Sequence, residues 1–336
     1  MNDKTLGSWV RRFLLEHLIS ERNCSLNTQR SYRDTLRLFL HFVAKAVHRP
    51  IDRLRVDDIS ADMVRAFLRD MEQDRRCGPA TRNQRLAAIH SFAHFIACHW
   101  PEQIQWCAEI RNIPSKKTPH RIVNYLEKEE MDAILKTPDR SKELGQRDYA
   151  LLLFLYNTAA RADEAAHVQV IDLRLGHAKG RDSSSVKIHG KGNKDRECPL
   201  WNITADALRP LLKGGSQDGY VFLNRRGEAL TRYGIHALVG RYAAKAEESM
   251  PSLGRKRVSP HTIRHTAAMH LLRSGVDINT IRAWLGHVSL ATTNIYAEAD
   301  LQMKANAMGA LEIGDKEGKK PWREKTGLEA FFGSIR

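Results

Sequence analysis

The stretch Ser259-Pro260-His261-Thr262-Ile263-Arg264-His265 decides how the rest of the chain is read. Ser259 is a good helix cap, and Pro260 suits the first helical position, where a missing N–H costs nothing. A helix therefore starts here, and His261 and Arg264, three apart, share one face of its first turn. Free backbone N–H groups and the positive end of the helix favour an anion at that place. A metal site is the competing reading, because His261 and His265 stand at i,i+4. The motif H-E-x-x-H needs a glutamate after the first histidine, and Thr262 occupies that position. Cys or carboxylate ligands are lacking nearby, so no metal is expected.

Three more patches put polar residues where a plain core would not want them. Thr158-Ala159-Ala160-Arg161-Ala162-Asp163-Glu164 directly follows the apolar run 151–156. Gly190-Lys191-Gly192-Asn193-Lys194-Asp195 is a glycine-rich turn between two short strand-like segments, 185–189 and 197–200. Trp284-Leu285-Gly286-His287 precedes Thr292-Thr293-Asn294-Ile295-Tyr296. Taken singly, each has an ordinary explanation: a surface arginine, a solvated loop lysine, a half-buried tyrosine.

Charge is the strongest global signal. The 336 residues carry 54 Lys+Arg against 39 Asp+Glu, a formal net charge of +15. An excess that large points to a polyanionic partner, most often nucleic acid. Residues 1–112 hold 18 basic and 13 acidic side chains, and residues 113–308 hold 30 and 21, so both portions are basic. No run of about 18 apolar residues exists, which argues against a transmembrane helix. The N-terminus lacks a signal-peptide core, so a cytoplasmic protein without membrane partners is expected. Five cysteines with no C-x-x-C pair argue for reduced thiols rather than a disulfide framework.

The chain is long enough for about two domains. Residues 1–112 read as an all-α unit of about four helices. One runs from a cap at Asn27 or Thr28 to Phe42, one follows Ser60 with Val64, Phe67, Leu68 and Met71 inward, and one opens at Thr81. Pro114 and Pro119 mark 113–122 as an ordered linker. Residues 123–308 mix helices with the small hairpin, and 309–336 form a tail. Helices are expected over 127–135, 146–158, 204–212, 232–247, 260–273, 277–284 and 289–296. The predicted class is mainly α with a small β-hairpin sheet: an all-α N-terminal domain followed by a mixed α+β domain.

Together, Arg161-x-x-Glu164, Gly190-Lys191-Gly192-Asn193-Lys194, His261-x-x-Arg264, Leu285-Gly286-His287 and Tyr296 resemble the tyrosine recombinase/integrase family in order and spacing. Thr28-x-x-x-Tyr32 and Thr81 to Ile89 with Phe92 look like the SAM-like helical core-binding domain of these enzymes. The resemblance covers roughly residues 5–305. Ala160 and Ala165 depart from the usual residues at two packing positions.

The resemblance implies a catalytic set of Arg161, Lys191, His261, Arg264, His287 and Tyr296, with Glu164 in support. Tyr296 would attack a DNA phosphodiester and conserve its energy in a 3′-phosphotyrosyl link, so no ATP or other cofactor is implied. Arg161 and Arg264 suit the charge on the non-bridging oxygens, because each guanidinium is planar, permanently positive and able to donate twice. With two such clamps a Mg²⁺ ion becomes unnecessary. Lys191 would protonate the leaving 5′-oxygen, with Lys194 the rival on the same turn. His261 would assist at the tyrosine hydroxyl or orient the phosphate, His287 would hold a non-bridging oxygen, and Glu164 would orient Arg161 or His261.

The implied partner is double-stranded DNA with inverted-repeat core sites, gripped by two domains in a C-shaped clamp. Monomers or weak oligomers off DNA would become a homo-tetramer in the synapse. The tail places Leu328, Phe331, Phe332 and Ile335 on one side, a stripe suited to docking on a neighbouring protomer; residues 299–311 are the alternative docking element. No separate arm-binding domain precedes the core-binding helices, which points to a simple-site enzyme. The tail and the divergent packing positions favour a mobile element over chromosome resolution. Three other functions compete: a type IB topoisomerase, a non-catalytic DNA-binding protein on this scaffold, and a zinc hydrolase, the last failing on ligand count.

Overall fold

The computed structural model describes residues 5–118, 124–176, 183–190, 194–212 and 216–286. The chain divides into two compact units between Arg121 and Ile122. The class is the one expected, mainly helical with one small antiparallel sheet.

The first unit is all helix. α1 (Leu6–Arg12) continues in a wider-wound segment, Phe13–Glu21, and is followed by α2 (Leu26–Ala46), α3 (Ala61–Gln73), α4 (Pro79–His99) and α5 (Ile104–Arg111). Five α-helices thus stand where the sequence pattern predicts about four, with α1 and α5 flanking the three it places. Its core is aromatic: Phe13 lies 5.3 Å from Phe92, and Phe39 lies 5.1 Å from Phe67, centroid to centroid. Ser60 caps α3 by accepting the Met63 N–H at 3.1 Å, and Val64, Phe67, Leu68 and Met71 all point inward. The cap of α2 is Ser25, whose hydroxyl accepts from the Thr28 N–H. Asn27 and Thr28, expected as caps, therefore sit inside the first turn. α4 begins at Pro79 rather than Thr81, because proline at the first helical position extends the helix back to Gly78.

The start of the expected linker is tied to this unit. Ile113 is buried, the Pro114 carbonyl accepts from Arg82 at 2.9 Å, and Lys116 pairs with Glu72 at 2.8 Å. On the surface of the unit, Arg33, Arg37, His41 and Lys45 follow one another at four-residue steps along α2. With Arg75 and Arg85 they outnumber Asp34 and Asp70 around a cavity of about 870 Å³.

The second unit packs α6 (Lys128–Lys136), α7 (Glu143–Thr158), α8 (Ala162–Ala166), α9 (Asn202–Leu208), α10 (Arg232–Ala246), α11 (Pro260–Arg273) and α12 (Ile278–Leu285) around one core. Its sheet, β1 (Leu173–Arg174), β2 (Ser185–Gly190) and β3 (Lys194–Pro199), is antiparallel in that order. Val186 faces Cys198 and Ile188 faces Arg196 across the β2–β3 pair. Val186, Ile188 and Cys198 are fully buried, so Arg196 shares the inward face of the strand. β1 is absent from the sequence expectation, since two residues are too few to show a period. The predicted helix over 289–296, the tail and its docking stripe, and the alternative docking element 299–311 lie outside the described residues. Among the described residues no helix is long and apolar enough to cross a membrane.

Candidate active site

Two short polar stretches meet at the ends of buried helices. α7 stops at Ala159, which adopts a left-handed backbone with φ 51°. The chain turns there and places Arg161 just before α8. The Arg161 N–H donates to Glu164 Oε2 at 2.9 Å, so Glu164 reaches back to cap the helix that it helps begin. Arg161 Nη1 also donates to Glu164 Oε1 at 2.6 Å. The Arg161 side chain is 40% exposed while that of Glu164 is 5% exposed. The carboxylate thus fixes one edge of the guanidinium from below and leaves another open.

Arg264 arrives from the first turn of α11, where Ser259 accepts the Thr262 N–H at 3.2 Å and Pro260 occupies the first position. Arg264 is 2% exposed. Its Nη1 donates to the Ala159 carbonyl and its Nη2 to the Leu285 carbonyl, each at 2.6 Å. Ala159 ends α7 and Leu285 ends α12, so the guanidinium sits where two helix C-termini concentrate negative partial charge. One side chain therefore joins the Arg161 turn to the end of α12. That end is set further by Asn157, whose carbonyl accepts from Trp284 Nε1 at 3.1 Å and whose side chain holds Pro199 and Trp201 at the end of β3.

His261 faces solvent, with its ring 4.2 Å from that of His265, centroid to centroid. Surrounding protein, then the charges of Arg264 and Arg161, hold its imidazole below the ordinary 6.5. It is consequently neutral at pH 7, able to accept a proton.

Arg161, Glu164, His261 and Arg264 are thus gathered into one neighbourhood. Lys191, His287 and Tyr296 lie outside the described residues; Gly190 and Gly286, which precede Lys191 and His287 in the chain, are described. Lys194, the rival lysine, begins β3 opposite Gly190. A Cβ on Gly190 would fall 2.7 Å from the Lys194 carbonyl oxygen, so only glycine fits the closing pair. Among the described residues no three His, Cys, Asp or Glu side chains converge in a way that could hold a metal ion.

The sequence reading misses Arg196. Its Nη2 donates to Glu164 Oε2 at 2.7 Å, and its side chain is only 9% exposed. The available signal is the alternation that puts it on the same strand face as Cys198. Burial raises the Glu164 carboxyl, but hydrogen bonds and charge from Arg196, with those from Arg161, outweigh it and hold the group at about 2. A carboxyl depressed in the fold contributes stability above its ordinary 4.5 and loses it as pH falls toward 2. Glu164→Gln should therefore flatten the acid loss of stability between those two values, as read by circular dichroism against the parent. Equal slopes in the two proteins would show that Glu164 does not titrate there.

Residues 124–303 match the phage integrase family, and residues 11–98 match the phage integrase N-terminal SAM-like domain. A putative integrase/recombinase of Sinorhizobium fredii, y4rC, is 37% identical over 98% of this chain and 98% of its own. Tyrosine recombinase XerC of Pelobacter propionicus is 30% identical over 93% of this chain and 95% of its own. Among solved structures, XerH site-specific recombinase bound to palindromic difH substrate has a TM-score of 0.66 at 24% identity, covering 86% of this chain and 81% of that one. This last likeness is one of fold. Matched over more than half its length, and with these relatives along nearly all of it, the chain belongs to the phage integrase family of tyrosine recombinases.

Proposed function

We propose that this protein is a site-specific recombinase that cuts and rejoins duplex DNA through a 3′-phosphotyrosyl intermediate on Tyr296. The observation that carries the reading is the joining of Arg161 and Arg264 through the Ala159 turn. Arg264, rigidly buried, is thereby tied to the turn that carries Arg161, whose side chain stays open to solvent. Such a pair matches a phosphate that gains negative charge as it is attacked.

In the cutting step the Tyr296 oxygen bonds to phosphorus and the bond from phosphorus to the 5′-oxygen breaks. Neutral His261 takes or shares the tyrosine proton, and Lys191 supplies one to the leaving 5′-oxygen. His287 holds a non-bridging oxygen. A 5′-hydroxyl of another strand then attacks the phosphotyrosine, which returns the tyrosine and completes the exchange without net change in phosphodiester bonds. The first unit, with its basic α2 face, serves as the core-binding domain. Four protomers in a synapse, linked by the C-terminal tail, would supply the four cuts that exchange requires. The setting is the cytoplasmic DNA of a mobile element with inverted-repeat core sites.

The discriminating experiment runs intermolecular strand exchange beside supercoil relaxation on the DNA that flanks this gene. Exchanged duplexes and a covalent protein–DNA species are expected together. Relaxation without exchange would instead make the protein a topoisomerase, and neither product would leave a DNA-binding protein.

A further inference from the structure

We infer that Arg196 is a positioning residue for the cutting step, an inference that rests on the function proposed above. The two oxygens of Glu164 are divided between two arginines: Oε1 takes Arg161 at 2.6 Å and Oε2 takes Arg196 at 2.7 Å. Arg161 lies on the exposed side of that carboxylate, and Arg196 fixes it from within. The same guanidinium lies against two glycines. A Cβ on Gly286 would stand 3.3 Å from Arg196 Cδ and Nη1, and one on Gly190 would stand 3.7 Å from Nη1. The arginine thus packs tightly against Gly286 and within ordinary contact of Gly190.

Those glycines directly precede His287 and Lys191 in the chain, and a Cα follows its neighbour by about 3.8 Å. Arg196 therefore braces the carboxylate that aims Arg161, the base of the turn bearing Lys191, and the end of α12 from which His287 departs. Misplacing a catalytic group by about 1 Å can cost on the order of 100-fold in rate. The plainer alternative is a buried ion pair that only maintains the fold. That role would lower stability or DNA affinity and leave the rate of folded, DNA-saturated enzyme unchanged.

The test uses the full chain with Arg196→Met and Arg196→Lys on a flanking-DNA duplex that the parent cleaves, in single turnover below each protein's unfolding transition. Lysine keeps a charge beside Glu164 but lacks the planar group that rests on both glycines. Both variants should form the covalent adduct at least about 10-fold more slowly, with DNA dissociation constants within about 2-fold of the parent. A duplex with sulfur in place of the bridging 5′-oxygen should restore the part of the rate lost through Lys191, and most of the rate of Lys191→Ala, because a thiolate leaves without a proton. Adding Glu164→Gln to Arg196→Met should lower the rate no further than the worse single change. Should Arg196→Met fail to fold, Arg196→Lys decides the matter alone. An Arg196→Lys rate within about 3-fold of the parent overturns the inference, as does a parallel fall in affinity or no recovery on the sulfur duplex. If Tyr296→Phe still forms an adduct, the proposed function itself fails, whatever Arg196 does.

Discussion

Tyr296→Phe is expected to bind DNA as the parent does and to form no covalent adduct at all. The substitution deletes one oxygen, the proposed nucleophile, and leaves the ring, so folding and DNA binding should persist. No other group could substitute silently, because a serine or water attack would leave no phosphotyrosine to be resolved by a 5′-hydroxyl. Denaturing electrophoresis of protein incubated with labelled duplex reads the result. A shifted, denaturant-resistant band from the variant would place the nucleophile at another residue.

The second large effect is expected at Arg264, where stability and chemistry fall together. Arg264→Ala removes two charge-assisted hydrogen bonds at 2.6 Å and leaves the Ala159 and Leu285 carbonyls without that donor in a buried place. The cost should be about 3 kcal/mol in urea unfolding, from two bonds to a charged group less what rearrangement recovers. Adduct formation should drop below detection, since the phosphate loses a cation and the Arg161 turn loses its anchor. Arg264→Lys separates the two effects. One ammonium can satisfy one carbonyl but cannot span both, so it should regain part of the stability and little of the rate. A lysine variant with near-parent activity would show that charge suffices and that the fork geometry is not required.

Local signals were legible where a single residue type answers a single backbone need. Ser259-Pro260 marks the start of α11, Ser60 marks α3, and the apolar spacing after Ser60 names the residues that point inward. The cap of α2 was not legible in the same way, since Ser25, Asn27 and Thr28 are all competent and only the tertiary path of the chain selects Ser25. Arg161 and Glu164 could be paired from their i,i+3 spacing. That Arg264 would reach the Ala159 carbonyl could not, because the contact joins residues 105 positions apart. Arg196 was hidden for a related reason. A charged residue beside a glycine-rich turn reads as solvated, and its inward direction appears only once Ile188 is known to face it.

The basic face of α2 has a consequence for how the protein lives with salt. Arg33 and Arg37 lie one turn apart on a single helix, and a like-charge pair at that spacing costs the helix about 0.2–0.5 kcal/mol, less what the Arg33–Asp34 ion pair at 2.8 Å offsets. Screening by mobile ions relieves this repulsion, so added salt firms the helix. The same ions oppose the binding of DNA that those side chains would neutralise, because each counterion released into saltier solution gains less entropy, and the complex weakens. A bound duplex does what salt does, silencing the repulsion with its phosphates, and it does so only where it lies. If α2 carries DNA as proposed, the helix is held more firmly with its cargo than without it, and dilute buffer, often chosen to favour DNA binding, is where its unbound charges repel most.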